Sequence, residues 1–299
     1  MKQLLVLAGP TASGKTKTAI RWSQALGNAP IVNADSRQFY QEMSIGTAKP
    51  TPEEMAAAPH YLFDDRSIHT PFDVGDYERE ALNLLTKLFE KHDQVILTGG
   101  SGLYIRALCE GLDEFPDITE KAKQQVADIF EKEGLPGLQG VLAQLDPETY
   151  NKIDLQNPRR LVRALNVCYT EGHPYSSYLK KPKRERPFTP VYFCLEWDRA
   201  ALYERINLRV DLMLKAGLEA EAKALYPHRE LRSLQTVGYR EFFTYFSEEE
   251  VTLAETVELI KQNTRRYAKR QLTWFKTLPD CFYFHPDDWQ AGLAGGETI

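Results

Sequence analysis

The stretch LLVLAGPTASGKT, residues 4–16, decides the fold class of this chain. Its first five residues form a short apolar run typical of a buried strand, and the next eight match the pattern GxxxxGK[ST] at every fixed position. A helix-like segment begins at about Lys15. Because a strand, a glycine-containing turn and a helix follow one another directly, the stretch predicts a phosphate-binding loop (P-loop) in an α/β protein.

Each residue type in this loop suits phosphate binding. The glycines let backbone N–H groups turn inward around phosphate oxygens, and the helix N-terminus adds partial positive charge. Lys15 would neutralise an anionic oxygen, and Thr16 would offer its hydroxyl to Mg²⁺, which makes it the candidate metal ligand. The candidate diphosphate-binding residues are Gly9, Pro10, Thr11, Ala12, Ser13, Gly14, Lys15 and Thr16.

The first hundred residues alternate short apolar runs with segments of helical periodicity. Beyond the P-loop, the pattern predicts strands at 30–32, 60–63 and 94–98 and an amphipathic helix from about Val74 to Lys91. This alternation is typical of βαβ units. The expected fold class is therefore α/β, a P-loop NTPase-like parallel sheet flanked by helices.

A helical insertion interrupts this rhythm. The interval from about Leu112 to Arg186 shows helical periodicity only, with Asn157 as an expected N-cap and Pro158 as the first helical residue. The run VYFCLEW then predicts a returning strand, followed by long helices over about 199–217 and 253–276. We predict a P-loop-containing core of residues 1–111 and 187–299 and a helical insertion domain of residues 112–186.

Composition narrows the class of protein. With 299 residues, 42% hydrophobic and 26% charged residues, the chain has the profile of a soluble globular protein. Its net charge of -5 argues against a protein that coats nucleic acid, although basic stretches at 180–186 and 261–276 could bind phosphates locally. We expect no zinc site or disulfide from four cysteines without a CxxC pair, and we expect a cytoplasmic monomer with no membrane segment and no signal peptide.

The P-loop alone leaves the reaction open. An NTPase usually has an apolar strand that ends in an acidic Mg²⁺ ligand, but the strand at 94–98 is followed by two glycines. The carboxylate that directly follows a central strand is Asp35. It lies where open α/β sheets bind ligands, although a helix cap or a loop salt bridge is an alternative role.

Seven motifs in matching order resemble those of the tRNA dimethylallyltransferases, the IPP transferase family. They are GPTASGKT (9–16), DSRQFY (35–40), IGTAKP (45–50), APHY (58–61), GGSGLY (99–104), NPRRLVRAL (157–165) and VGYRE (237–241). This ordered agreement is far more specific than a P-loop by itself. One departure is Ser101, where the family usually has Thr; the hydroxyl is kept and a methyl group is lost.

The resemblance implies transfer of a dimethylallyl group from dimethylallyl diphosphate to N6 of the adenine at position 37, in the tRNA anticodon loop. It implies that the P-loop holds the donor diphosphate with Mg²⁺, and that Asp35, Ser101 and Arg209 are catalytic, with Asp35 as the base. It also implies that the core of residues 1–111 and 187–299 is catalytic and that the insertion domain of residues 112–186 contacts tRNA. Lys123 is matched by spacing alone. The implied tRNA-binding residues are Asp35, Ser36, Arg37, Gln38, Ser101, Lys123, Arg159, Arg160, Leu161, Val162, Arg163, Gln235, Thr236, Val237, Gly238, Tyr239 and Arg240.

Several residues and the function itself have other interpretations. Arg209 could lie on a solvated helix face, because no acid stands three or four residues away and Arg205 is a like charge. His60 and the aromatic residues Trp197, Tyr267 and Trp274 are expected in core or loop packing. Rival functions are a small-molecule or nucleotide kinase, a regulatory or RNA-binding NTPase, and a prenyltransferase of free adenine nucleotides. The DSRQFY and GGSGLY motifs and the basic insertion favour tRNA prenylation.

Overall fold

The computed structural model describes residues 2–180 and 184–295. Its contacts divide the chain into two compact units: the first runs up to Glu110 and resumes at Glu185, and the second runs from Gly111 to Arg184. This division lies one or two residues from the boundaries expected from the sequence. The functional roles of the two units remain predictions.

The strands of the first unit form a parallel sheet, as the βαβ alternation predicts. In the described residues they are β1 (Gln3–Ala8), β2 (Ile31–Asn33), β3 (His60–Tyr61), β4 (Gln94–Gly99), β5 (Thr189–Leu195) and β6 (Phe282–Phe284). Their order in the sheet is β3-β2-β4-β1-β5-β6. The central strand β1 pairs in register with β4 from Gln3↔Gln94 to Ala8↔Gly99, and with β5 on its other side.

Helices surround this sheet in the first unit and make up the second. They are α1 (Lys15–Ala25), α2 (Pro52–Ala56), α3 (Val74–Phe89), α4 (Gly102–Glu110), α5 (Glu120–Leu145), α6 (Pro147–Tyr150), α7 (Pro158–Glu171), α8 (Arg199–Lys215), α9 (Leu218–Leu225), α10 (Tyr239–Ser247), α11 (Leu253–Phe275) and α12 (Trp289–Gly295). Helices α5, α6 and α7 belong to the second unit. None of the described helices has the length and apolar composition needed to cross a membrane.

Alternation along β1 builds a separate core on each face of the sheet. Leu4 and Val6 pack into one core with residues of α3 and α4, whereas Leu5 and Leu7 pack into the other with residues of α1. Successive side chains of a strand point to opposite faces, so a continuous apolar run is what a strand covered on both faces requires. This explains why the run LLVLA has no polar position.

One strand is shorter than the sequence pattern predicts. The run at 60–63 pairs only through His60 and Tyr61, because Leu62 has a φ of 60° and Asp64 a φ of 53°. Left-handed backbone cannot continue a β-ladder. Apolar composition alone does not reveal this turn.

The second unit has its own small helical core. Helix α5 is interrupted at Gly134, whose φ of 62° and ψ of -151° lie outside the helical region. Helix α7 begins at Pro158 as predicted, but the Asn157 side chain makes no capping hydrogen bond within the described part of the chain. Leu161 and Leu165 of α7 pack against Leu142 of α5.

Candidate active site

The P-loop connects β1 to α1 and adopts left-handed backbone at two positions. Ala12 has a φ of 63° and Gly14 a φ of 95°. The Lys15 ammonium group is folded back over the loop and donates to the carbonyl oxygens of Gly9, at 2.8 Å, and Pro10, at 2.9 Å. The loop therefore wraps around the Lys15 ammonium group at the carboxyl end of β1.

Helix α8 brings two arginines to the same loop. Arg209 Nη1 lies 3.3 Å from Thr11 Oγ1, and Arg205 Nε donates to the carbonyl oxygen of Ala12 at 3.0 Å. Trp197, just before α8, donates its indole N–H to the carbonyl oxygen of Ser13 at 2.9 Å. The solvated-face interpretation of Arg209 is thus wrong. Spacing along α8 could not identify its partner, which is nearly 200 residues away.

Asp35 lies in a turn directly after β2. Its backbone N–H donates to Asn33 Oδ1 at 2.7 Å, and its Oδ1 accepts the Arg37 N–H at 3.0 Å. Beside this turn, Ser101 Oγ accepts the Ser36 N–H at 2.9 Å. The hydroxyl that this chain shares with the usual family threonine therefore orders the turn that carries Asp35.

Two glycines allow close packing under this turn: Gly99, the last residue of β4, and Gly100, which follows it. A Cβ at Gly99 would overlap the backbone of Ala34, and one at Gly100 would overlap the Gln271 carboxamide. The Asp35 Oδ2 atom lies 3.6 Å from the position of a Gly100 Cβ. Packing against the Ala34 backbone thus requires glycine at position 99, and Gly100 leaves space for the Gln271 carboxamide.

Burial and charge at the site shift several pKa values. Burial lowers the pKa of Lys15 to about 8, and the negative charge of Asp35 opposes this shift. Burial also lowers the pKa of Arg209, again against the attraction of Asp35. Tyr267 of α11 has its pKa raised to about 12, first by burial and then by Asp35, and its hydroxyl faces Ser101. Asp35 is therefore the negative charge that interacts with both Lys15 and Arg209. Tyr267 belongs to the site as well as to the core, because its hydroxyl faces Ser101.

A cavity of about 650 Å³ joins these groups within the first unit. The predicted residues that line it are Thr11, Ala12, Ser13, Gly14, Lys15, Thr16, Asp35, Arg37, Gln38, Arg209, Thr236, Val237 and Gly238. His60 also lines it, and its Nδ1 lies 2.8 Å from the carbonyl oxygen of Ala58, in agreement with a loop hydrogen bond. The cavity thus brings together much of the predicted donor set and part of the predicted tRNA set.

Tyr239 is a correction to the predicted tRNA contacts. Its ring is fully buried and its hydroxyl donates to Glu221 at 2.7 Å. The same carboxylate accepts backbone N–H groups from Ser44, Ile45 and Gly46 at 2.8–3.0 Å. This part of the VGYRE motif therefore holds the IGTAKP loop in place, because a motif contains packing residues as well as contact residues. Gln235 and Arg240, in contrast, are exposed.

The other predicted tRNA contacts lie on the second unit. Arg159, Arg160 and Arg163 are exposed on α7, and Lys123 is exposed on α5 in an ion pair with Glu120. The Arg163 guanidinium lies 5.1 Å from the Phe115 ring centroid. Leu161 is a second correction, because its side chain is fully buried in the core of this unit; Val162 is half-buried.

The basic stretch at 180–186 is less available than its composition suggests. Arg186 is buried in the first unit, where it pairs with Glu78 and donates to the carbonyl oxygen of Ala107. Arg184 pairs with Glu114 in the second unit. Lys181 and Lys183 lie outside the described residues. In the second basic stretch, Lys261 pairs with Asp211 and Glu258.

Trp274 and the cysteines have the packing roles that the sequence predicts. Trp274 packs against the core next to Gly102, where a Cβ would overlap its ring. The four cysteines are free thiols; Cys109, Cys168 and Cys194 are buried and Cys281 is half-buried. Sequence reasoning assigned no role in the site to three residues whose contacts hold its loops, Gln271, Arg205 and Glu221. Their spacing marks only helix faces.

The fold and the site together define a P-loop protein whose loop lies beside the carboxylate of Asp35 in one cavity. The model of the IPP transferase family matches residues 38–278. A tRNA dimethylallyltransferase of Flavobacterium johnsoniae is 49% identical over 290 residues, covering 95% of this chain and 93% of that protein. The tRNA dimethylallyltransferase 1 of Bacteroides fragilis is 43% identical over 286 residues, covering 96% and 94%. This chain therefore belongs to the IPP transferase family.

Solved structures agree with this membership. The tRNA isopentenylpyrophosphate transferase of Bacillus halodurans superposes with a TM-score of 0.71 at 34% identity, covering 100% of this chain and 99% of that one. A eukaryotic dimethylallyltransferase described as acting on tRNA gives a TM-score of 0.82 at 25% identity, covering 99% of this chain and 77% of that one. The similarity thus extends over the whole chain and includes its fold.

Proposed function

We propose that this protein transfers the dimethylallyl group of dimethylallyl diphosphate to N6 of the adenine at position 37 of tRNA. The products are N6-isopentenyladenosine in the anticodon loop and free diphosphate. The observation that carries the proposal is the shared cavity, in which Lys15 and Arg209 flank a phosphate-binding loop beside the carboxylate of Asp35. The kinase alternative is not favoured, since the relatives are tRNA dimethylallyltransferases.

The proposed reaction places one demand on Asp35 and another on the P-loop. The N6 lone pair attacks the allylic carbon while that carbon's bond to oxygen breaks, and the electron pair of this bond leaves with diphosphate. Asp35 accepts the proton that N6 loses, because the amine lone pair is delocalised into the ring and attack makes the nitrogen acidic. Lys15, Arg209 and the loop N–H groups stabilise the charge that develops on diphosphate.

Mg²⁺ fits the oxygen-rich lining of this cavity. The Thr16 hydroxyl and the carboxylates of Asp35 and Glu54 line it, and Mg²⁺ prefers oxygen ligands that include substrate phosphates. Thr16 is the residue that would hold the ion beside the donor diphosphate. A bound Mg²⁺ would supply electrostatic stabilisation of the leaving group.

The tRNA substrate must present an unstacked base. An adenine inside a stacked anticodon loop cannot offer its amine to a carboxylate in a cavity, so the nucleotide has to be extruded. Arg37 and Gln38 lie in the cavity close to Asp35 and are proposed to contact this nucleotide. The exposed arginines of α7 are proposed to bind the phosphates of the anticodon stem. We further propose that the protein acts as a cytoplasmic monomer.

The decisive test of the proposal is transfer of radiolabelled dimethylallyl groups to unmodified tRNA in the presence of Mg²⁺. Label should appear in the adenine at position 37, and the reaction should release diphosphate in equal amount. ATP with AMP, offered in place of tRNA, should give neither ATP turnover nor a prenylated nucleotide. ATP turnover, or label in free AMP and none in tRNA, would contradict the proposal.

The arginines of α7 should affect tRNA binding alone. Changing Arg159, Arg160 and Arg163 together to Ala should raise the tRNA KM about tenfold or more. The slope of the logarithm of the tRNA binding constant against the logarithm of salt concentration should become shallower by about 2. The donor KM should stay unchanged. Lys152→Ala, which removes an exposed cation of the same unit that pairs with Glu148, is the matched control. An unchanged tRNA KM and salt slope in the triple variant would exclude this surface.

A further inference from the structure

Gln271 of α11 joins two loops that are far apart in the sequence. Its Oε1 accepts the backbone N–H of Thr11 at 2.8 Å, and its Nε2 donates to the carbonyl oxygen of Gly100 at 2.9 Å. The residue is 6% exposed. These contacts span 260 and 171 residues of sequence. One carboxamide thus links the P-loop, the turn after β4 and helix α11.

The Gln271 contacts lie just beyond the last paired residues of β1 and β4. Strands β1 and β4 pair in register as far as Ala8↔Gly99. Thr11 and Gly100 lie beyond this last pair, and the Gln271 carboxamide supplies hydrogen bonds between their loops. A donor and an acceptor are both required, because Thr11 offers an N–H and Gly100 offers a C=O. Glutamate would satisfy only the first contact, lysine only the second, and asparagine is one methylene shorter.

The two linked loops carry opposite halves of the proposed chemistry. Thr11 also contacts Arg209 and belongs to the loop assigned to the leaving diphosphate. Gly100 adjoins Asp35 and precedes Ser101, whose hydroxyl orders the turn that carries Asp35. The separation of base and leaving group therefore depends on the distance between these two loops, although Asp35 itself lies in the turn after β2. Misplacement of reacting groups by about 1 Å can lower a rate by about 100-fold.

We propose that Gln271 is a positioning residue, which fixes the separation of the diphosphate loop from the turn that carries Asp35. The proposal rests on the proposed function, because it concerns the alignment of the amine, the allylic carbon and the leaving group. Gly100 is part of the same contact, since only a residue without Cβ leaves space for the Gln271 carboxamide in this position. Its φ does not lie in the left-handed region, so its need for glycine comes from this contact.

The first test compares Gln271→Met with the wild type in prenyl transfer to tRNA. Methionine keeps the length and packing of the side chain but removes both hydrogen bonds. We expect kcat to fall about 10- to 100-fold while the donor KM changes by less than about threefold, because misalignment acts after binding. Gln262→Met, on the exposed side of the same helix, should leave both constants unchanged. Thermal unfolding of each variant separates lost stability from lost alignment.

The second test uses the steric relation between Gly100 and Gln271. Gly100→Ala alone should displace the carboxamide and reproduce most of the loss in kcat. In a Gln271→Ala background the added methyl group has space, so Gly100→Ala should cost less than about twofold more. This strong non-additivity is not expected of two independent structural defects.

The outcomes separate the two proposals. A wild-type enzyme that prenylates tRNA, together with a Gln271→Met variant whose kcat is unchanged, would overturn the positioning role alone. The same holds for a variant that only unfolds at lower temperature, or for fully additive effects in the double variant. A wild-type enzyme that prenylates no tRNA would overturn the proposed function and the positioning role with it.

Discussion

Replacing Asp35 by Asn should lower kcat for prenyl transfer to tRNA by about 10²- to 10⁴-fold, the usual contribution of a general base. Asparagine keeps an oxygen at Oδ1, so the hydrogen bond from the Arg37 N–H, and with it the shape of the turn, can survive. The amide cannot accept the N6 proton at neutral pH. Single-turnover transfer of labelled dimethylallyl groups to unmodified tRNA measures the loss.

Donor binding should respond in the opposite direction to catalysis. The carboxylate of Asp35 acts electrostatically on both Lys15 and Arg209, so it also repels a bound diphosphate. Asp35→Asn should therefore bind the donor as tightly as the wild type, or more tightly. Asp93→Asn, at the other end of β4, makes the same charge change and should leave kcat unaltered. A kcat within a few-fold of the wild type in Asp35→Asn would show that another group takes the proton.

The parts of this site that could be predicted from the sequence are those formed by neighbours along the chain. The strand, loop and helix start at residues 4–16 are local, and the lysine and hydroxyl side chains within them indicate phosphate chemistry directly. Asp35 is predictable for a similar reason, since a carboxylate after a central strand must lie at the binding edge of the sheet. Such inferences need only the period of the strand and the order of the elements.

Contacts from α8 and α11 were not predictable in this way. Arg205, Arg209, Tyr267 and Gln271 lie on amphipathic helices, where periodicity identifies a face but not the partner of that face. Each helix reaches the P-loop or the Asp35 turn only after the chain has returned to the sheet, and the Gln271 contact with Thr11 spans 260 residues. Long-range polar contacts of this kind depend on tertiary packing, which local patterns do not encode.

Motif resemblance had a different limit. It identified blocks of residues, but within a block it could not separate contact residues from packing residues. Leu161 and Tyr239 are both fully buried inside blocks expected to bind tRNA. In α7 the arginines on either side of Leu161 are exposed, as helical periodicity requires once one face is buried. The alternation within NPRRLVRAL could therefore have excluded Leu161 from the sequence alone.

Lys15→Met should have the second large effect, a fall of about 10²- to 10³-fold in kcat with a further loss of donor affinity. Methionine keeps the unbranched apolar stem but removes the charge that would face the leaving diphosphate. In the described state the ammonium group donates to the Gly9 and Pro10 carbonyl oxygens, so it is already oriented over the loop. Initial rates at varied donor concentration, with tRNA saturating, measure both constants.

Lys17→Met is the neighbouring control, because Lys17 lies in the first turn of the same helix and lines the same cavity, but its side chain is exposed. It should change kcat by less than about threefold, since exposed charges are strongly screened by water and salt. Equal losses in the two variants would mean that the helix needs only net positive charge. A Lys15→Met variant with unaltered kcat would remove Lys15 from leaving-group stabilisation.

The pH dependence of kcat/KM for the donor should distinguish Lys15 from the arginines. Burial lowers the Lys15 pKa to about 8, so in the free enzyme its charge is present below pH 8 and is lost as the pH rises through that value. The donor diphosphate favours the charged form, and kcat/KM should fall above about pH 8 while arginine remains charged. Lys15→Met should lack this alkaline limb, because it has no ammonium group to titrate. An alkaline limb that persists in Lys15→Met would assign the titration to another group, and Lys15 would then act in the same charge state across the measured range.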